Sequence, residues 1–459
     1  MTNRPLLTIV LAAGKGTRMK SSLPKVMHKV AGRSMLGHVL ALAAASGSAA
    51  PAVVIGPDMD QVRAEVMKLA PQASVYIQTS QQGTADAVLA ARDAIAAHAG
   101  DVIVLYADTP LIQPATVARL LAALDQGAGV AALGAGVAVL GFEARDPTGY
   151  GRLLTDSDGT LTAIREEKDA SDAERLVSLC NSGVIAFRLP DLMGTLTSIG
   201  NANAKGEYYL TDAIEIARSK GARASVVVCD EDEVLGVNAR DQLSVAESLW
   251  QRRARARVMA NGATLIAPET VWLSYDTVIG RDVIIEPNVY FGPGVVVDDN
   301  AEIKANCHFE GAHIGRGARI GPFARLRPGA ELGADTHIGN FVEVKNVTLG
   351  VGAKANHLAY LGDGSVGAGA NIGAGTIFCN YDGFFKHKTD IGAGAFIGSN
   401  SSLVAPLKIG DGAYIGSGSV ITKDVAAGSL ALERSKQDER PGWAAKFRTM
   451  MARKKANKA

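Results

Sequence analysis

"IGRGARIGPFARLRPGAELGADTHIG", Ile314 to Gly339, carries an aliphatic residue at Ile314, Ile320, Leu326, Leu332 and Ile338, one at every sixth position. A period of six fits neither the 3.6 of an amphipathic helix nor the 2 of a half-buried strand. It marks a parallel β-helix, whose stacked coils bury one side chain per repeat. Glycine often follows the aliphatic, as in "IGRGAR", "IGAGTI" and "IGDGAY", and permits the sharp corners.

The register extends both ways. Upstream it runs through Leu273, Ile279, Ile285, Phe291, Val297, Ile303 and Phe309, with a shorter step to Ile314. Downstream it passes Val344, Leu349, Ala355, Leu361, Val366, Ile372 and Phe378, interrupted by two more short steps. The insertion "NYDGFFKHKTD" then precedes Ile391, Ile397, Leu403, Ile409, Ile415 and Ile421. A β-helical domain is expected over 262–459, ending in the basic tail "FRTMMARKKANKA", which reads as a solvated, mobile end.

Residues 1–240 have a different rhythm. Apolar runs at Leu6–Val10, Ala52–Ile55, Ser74–Ile77 and Val102–Tyr106 alternate with Ala-rich helical stretches at Met35–Ala45, Met59–Leu69 and Ala85–Ala97. That alternation predicts an α/β fold, a Rossmann-like, mostly parallel sheet with helices on both faces and ligands at the carboxyl ends of its strands. "AAGKGTR" and "YADTP" fall at such ends. Between the halves, Asp241–Asn261 spaces Leu243, Ala246, Leu249, Trp250 and Val258 near a helical period, which predicts a connecting helix over 241–261.

A chain of 459 residues suggests about three domains at ~150 residues each. A net charge of +1 gives no global field for nucleic acid or a membrane, so small-molecule partners are expected. The four cysteines, Cys180, Cys229, Cys307 and Cys379, have no C-x-x-C spacing, which argues against zinc and a disulfide framework and for a reducing cytoplasm. Cys379 lies beside an inward repeat position and reads as packing. The apolar tract Ala128–Phe142 is short for a membrane span, rich in glycine, and reads as one or two buried strands. The start "MTNRPLLTIV" shows no export signal.

"LAAGKGTR", Leu11–Arg18, is not a P-loop, because Gly16 and Thr17 follow Lys15. Nor is it a dinucleotide fingerprint: Met19 stands where a third glycine belongs, and no Asp or Glu precedes Asp58. A strand feeding a Gly-rich turn still offers N–H groups to an anion, and phosphate is the best fit.

Both halves also carry family motifs. "LAAGKGTRM", "LPKVMHKVAG", "QQGTADAV", "LYADTPLI", "DPTGYGRLL", "EEKDA", "NSGVIAF" and "GEYYLTD" resemble a sugar-nucleotide pyrophosphorylase domain. "RLRPGAEL", "GNFVEVKN", "NHLAYLGDGSVG" and "NIGAGTIFCNYDG" resemble a hexapeptide acetyltransferase of the left-handed β-helix kind. The pairing in this order resembles the bacterial bifunctional GlmU family, N-acetylglucosamine-1-phosphate uridyltransferase joined to glucosamine-1-phosphate acetyltransferase. A nucleotidyltransferase whose β-helix only assembles subunits is the rival, and Arg327, Lys345, His357 and the insertion count against it.

The resemblance implies UTP and acetyl-CoA as substrates, Mg²⁺ as cofactor and a homotrimer. It places the uridine and phosphates of UTP on Leu11, Ala12, Ala13 and Gly14, with Lys15, Arg18 and Lys25 neutralising charge and Tyr106 alongside. Gln78, Gly83 and Thr84 match uracil contacts, and Asp108 and Asn238 match the metal ligands. Gly151, Glu166 and Asn181 match positions around the sugar, and Ala107 departs from an expected glycine. In the β-helix His357 matches the base, and Arg327, Lys345, Tyr360 and Asn371 match glucosamine-1-phosphate contacts. Ala374, Asn380, Tyr381, Ser399, Ser417 and Arg434 match acetyl-CoA contacts. The chemistry agrees, since phosphoryl transfer needs preorganised cations and acetyl transfer to an amine needs a proton acceptor.

Overall fold

The computed structural model describes residues 4–125 and 136–457, in two compact units divided between Ala254 and Arg255. In the first unit β1 (Leu6–Leu11), α1 (Met35–Ala45), β2 (Ala52–Ile55), α2 (Asp60–Leu69) and β3 (Ser74–Ile77) alternate as expected. Next come α3 (Thr84–Ala90), α4 (Arg92–Ala96), β4 (Asp101–Tyr106), α5 (Pro114–Ala123), β5 (Gly136–Glu143), β6 (Arg152–Thr155), β7 (Leu161–Arg165), β8 (Leu179–Arg188) and β9 (Arg223–Cys229). The single helix expected over Ala85–Ala97 is two, because Ala91 leaves helical geometry at φ −95°, ψ 22°. Of the tract Ala128–Phe142, residues 126–135 lie outside the described residues and the remainder falls in β5.

The sheet runs β9-β5-β8-β4-β1-β2-β3, with β6 and β7 appended to β8. Pairs β4-β1-β2-β3 and β9-β5 are parallel, whereas β8 is antiparallel to both of its neighbours. Alternate residues of β1 and the Ala12 that follows it enter opposite cores: Leu7, Ile9 and Leu11 one, Val10 and Ala12 the other. That two-sided burial is why the strand is apolar apart from the buried Thr8. The chain winds outward from β1 in both directions, so a crevice opens beyond the carboxyl ends of β1 and β4. The connecting segment is one helix, α6 (Arg240–Ala260), burying Ala246, Leu249 and Val258.

The second unit is a stack of short parallel strands. Leu273 pairs with Phe291, Phe291 with Phe309, Phe309 with Leu326, and Leu326 with Val344. Asn288 meets Asn306 18 residues on, three repeats of six, and where a five-residue step intervenes the coil shortens, so His357 meets Asn340 17 residues back. The inward series is buried throughout, apart from Ile279, which is half-buried.

Most repeats bury two side chains, and the expectation of one needs correcting. In nearly every repeat the residue two positions before the aliphatic, most often a small one, also turns inward, among them Val283, Ala301, Cys307, Ala318, Thr336 and Ser401. Cys379, expected as packing, instead follows inward Phe378 and is partly exposed. Within the described residues, 447–456 of the basic tail lie in an exposed helix, α7 (Trp443–Ala456), with Trp443 stacked on Phe447.

Candidate active sites

Leu11, Ala12, Ala13, Gly14, Lys25, Gln78, Gly83, Thr84, Tyr106 and Asp108 line one cavity of about 200 Å³ at the crevice. They reach it because β1 and β4 end side by side, Leu11 paired with Tyr106. Lys15 and Arg18 stand exposed on the loop and do not line it. Gly16 adopts φ +60°, and a Cβ there would lie 2.4 Å from Cβ of Lys25. The glycine therefore lets the loop turn and Lys25 pass beneath it.

Lys25 Nζ donates to Asp108 Oδ2 at 2.5 Å and to Asn238 Oδ1 at 3.0 Å. Asn238 is held in turn, its N–H donating to Gln242 Oε1 at 2.8 Å. One ammonium thus sits on the oxygens of both expected metal ligands, so the pair accommodates a cation. A carboxylate and an amide oxygen are the hard donors a magnesium-like ion takes, completed by water and phosphate oxygens. Gln78 spends its amide donors on Gly83 O (3.0 Å) and Asp86 Oδ2 (2.7 Å), which leaves its carbonyl for a ligand.

Gly151, Glu166 and Asn181 come together beside this cavity's strands. Asn181 N–H donates to Gly151 O at 2.8 Å, and a Cβ on Gly151 would meet Glu166 Oε1 at 3.4 Å. Burial raises the Glu166 carboxyl above its ordinary range, partly offset by Lys205 and the Thr211 hydroxyl. Burial and the charges of Asp108 and Glu166 also push up the Tyr106 phenol, so it stays a neutral hydroxyl.

In the β-helix, the backbone ladder puts His357, Ala374, Ser399 and Ser417 on one corner of successive coils. Gly375 N–H donates to His357 O, Asn400 to Ala374 O, Gly418 to Ser399 O, and the Arg434 guanidinium to Ser417 O. The exposed His357 lies 2.7 Å through Nδ1 from Asn340 Oδ1. A neutral ring donating there carries its proton on Nδ1 and its lone pair on Nε2, the form a general base needs. Asn340 escaped the sequence reading.

Arg327 and Lys345 occupy equivalent places on neighbouring strands, one residue past the paired Leu326 and Val344. Tyr360 pairs with Glu343 nearby, and Arg327 Nη1 donates to Glu343 Oε1 at 2.9 Å. Asn371 belongs to the other sheet, between Lys354 and Phe396. Lys386 from the insertion contacts Lys345 and lowers its pKa, ammonium against ammonium. Two like charges held together have the chemistry to share an anion, and Lys386 is a second residue the sequence reading missed. Asn380 is buried, and Tyr381 is exposed, its hydroxyl donating to Gly383 O at 2.5 Å.

The MobA-like NTP transferase domain model matches residues 8–170, and the bacterial transferase hexapeptide model matches 276–311, 311–346 and 388–423. Fold and sites together define a two-domain transferase, a nucleotidyltransferase sheet followed by an acyltransferase β-helix. "Bifunctional protein GlmU" of Azorhizobium caulinodans is 59% identical over 455 residues, covering 99% of this chain and 100% of the relative. Those of Xanthobacter autotrophicus (58%, 99% and 100% covered) and Rhodopseudomonas palustris (56%, 100% and 100%) are similar to the same extent. The chain belongs to the bifunctional GlmU family. It is an enzyme with uridyltransferase and acetyltransferase activities. Among the described residues, no helix is long and apolar enough to cross a membrane.

Proposed function

We propose that the chain makes UDP-N-acetylglucosamine in two steps at two separate sites. The β-helix acetylates glucosamine-1-phosphate from acetyl-CoA, and the sheet domain transfers uridylyl from UTP to the resulting N-acetylglucosamine-1-phosphate, releasing pyrophosphate. The domains are assigned to 1–240 and 262–459, joined by the helix at 241–261.

For uridylyl transfer, Gln78, Gly83 and Thr84 bind the uracil while Leu11–Gly14, Lys15, Arg18 and Lys25 meet the phosphates. Tyr106, Gly151, Glu166 and Asn181 hold the acceptor sugar so that its phosphate faces the α-phosphate of UTP. Asp108 and Asn238 would hold Mg²⁺, which neutralises phosphate charge as it builds. For acetyl transfer, Arg327, Lys345, Tyr360 and Asn371 grip the sugar phosphate. Ala374, Asn380, Tyr381, Ser399, Ser417 and Arg434 carry acetyl-CoA, and His357 Nε2 accepts the amine proton as nitrogen attacks the thioester. Arg327 and Asn371 lie on different sheets of the prism, which fits sites completed between copies in a cyclic trimer.

The observation that carries the uridylyl assignment is the convergence of Asp108 and Asn238 oxygens on one cation in the crevice cavity. Its test is Asp108→Ala, assayed for both products by mass. Uridylyl transfer should vanish while acetylation continues. Equal loss of both in a folded variant overturns the two-site assignment.

A further inference from the structure

Asp363 lies in the strand Tyr360–Val366 at φ +51°, a left-handed turn that Asn346 one coil back also takes, and it is 7% exposed. A buried carboxylate persists only where hydrogen bonds and charges hold it. Here they do so from neighbouring coils. Asn346 Nδ2 donates to Asp363 Oδ1 at 2.7 Å, and Asn380 Nδ2 to Asp363 Oδ2 at 2.5 Å. Burial pushes the Asp363 carboxyl up, but the two amides, with Lys345 and Lys386, outweigh it and hold it ionised.

Asn380 is the base of the insertion. Its carbonyl accepts from His387 N–H at 2.8 Å, closing the arm, and Tyr381 bridges to Lys386 inside it. Beyond that closure Phe384 and Phe385 are exposed, and Asp382 stays within the arm, accepting from His387 Nε2 at 2.7 Å. Asp363 therefore ties the arm's root to the stacked coils, and it supplies the negative charge beside the Lys345–Lys386 pair.

We propose that Asp363 is a positioning residue for acetyl transfer, fixing the root of the insertion through Asn380 so that the arm closes over acetyl-CoA. The proposal rests on the acetyl-transfer assignment given above for this face. Asp363 touches no substrate in this scheme and acts through its neighbour.

The experiment compares Asp363→Asn, Asn380→Ala and the double variant, with full steady-state analysis in acetyl-CoA. An asparagine has one acceptor oxygen, so one of the two amides faces another N–H₂. Losing a bond to a charged group should raise KM for acetyl-CoA about tenfold with kcat near wild type. General loosening of the β-helix would instead reduce the competent fraction, lowering kcat at unchanged KM. If Asp363 acts through Asn380, the double variant is no worse than Asn380→Ala alone. Unchanged KM in Asp363→Asn, or additive effects, overturns the proposal. Should Asp363→Asn lose its cooperative melt, Asn346→Ala loosens the carboxylate from its other side and should raise the same KM about threefold. Wild-type KM in that folded variant also overturns it. Wild-type acetylation in both Asn380→Ala and Arg327→Ala would instead reject the acetyl-site assignment itself.

Discussion

Replacing Lys25 with methionine should make the enzyme bind a divalent cation more tightly when nucleotide is absent. Lys25 Nζ lies 2.5 Å from Asp108 Oδ2 and 3.0 Å from Asn238 Oδ1, with 10% and 20% of the Lys25 and Asp108 side chains exposed. A metal entering the free enzyme must displace that ammonium from both oxygens. A hydrogen bond to a charged group is worth ~1.5–3 kcal/mol, so displacement costs about ten- to a hundredfold in affinity. Methionine keeps the stem's packing and removes the competitor. Mn²⁺ serves as the probe, its free concentration read by electron paramagnetic resonance in a titration without UTP. The affinity of Lys25→Met should exceed wild type by at least about tenfold, and adding Asp108→Asn should abolish the gain. With UTP present the order should reverse in catalysis, because Lys25 is then missing from the phosphates and KM for UTP rises. The variant's partly buried carboxylate, left unpaired, should cost about 1–3 kcal/mol of stability, and Mn²⁺ should restore it. Mn²⁺ binding no tighter in Lys25→Met than in wild type would refute the reasoning.

His357→Ala should lower acetyl-transfer kcat by about 10²–10⁴ at unchanged KM for acetyl-CoA, with uridylyl transfer intact; near wild-type turnover at neutral pH would remove the base assignment. Alkaline pH should weaken glucosamine-1-phosphate binding. Lys386 holds the Lys345 pKa below that of an ordinary lysine, and a phosphate between the two ammonium groups raises it again, so binding takes up a proton above the depressed pKa. KM for the sugar phosphate should accordingly climb as pH rises through the range just below the usual lysine value, and Lys386→Met should move the climb to higher pH. Phe309→Ala, which removes a fully buried ring 5.5 Å from that of Phe291, should destabilise the β-helix by about 3–5 kcal/mol in denaturant melts.

The period of six was legible because the inward aliphatics are chemically uniform, and a corner every few residues leaves little freedom in their spacing. The second inward row was not legible, because it mixes valine, alanine, cysteine, threonine and serine. Thr336 and Thr389 bury their hydroxyls without a hydrogen-bond partner, but three others of the row make a local bond that no hydropathy pattern records. Thr376 Oγ1 donates to Gly373 O at 2.7 Å, Ser401 Oγ to Gly398 O at 2.7 Å, and Ser419 Oγ to Gly416 O at 2.6 Å, each three residues back. A polar residue so satisfied packs like a small apolar one.

The same distinction separates the site residues that were read from those that were missed. Leu11–Gly14 and Asp108 stand at the ends of apolar strands, where chain order alone puts them in the crevice. Asn340 and Asp363 act across coils, where a partner one coil away has no local signature, and Lys386 reaches Lys345 from the insertion. The separation is nonetheless fixed: Asn340 to His357, Asn346 to Asp363 and Asp363 to Asn380 are each 17 residues. That is three repeats less the one residue lost at each five-residue step. Laying the sequence out in coils of that length places Asn340 beside His357, and Asn346, Asp363 and Asn380 in one row, before any coordinates are consulted. In a β-helix the informative neighbour of a candidate catalytic residue is the one a full coil away, and a polar side chain there belongs in the same functional test as the residue it faces.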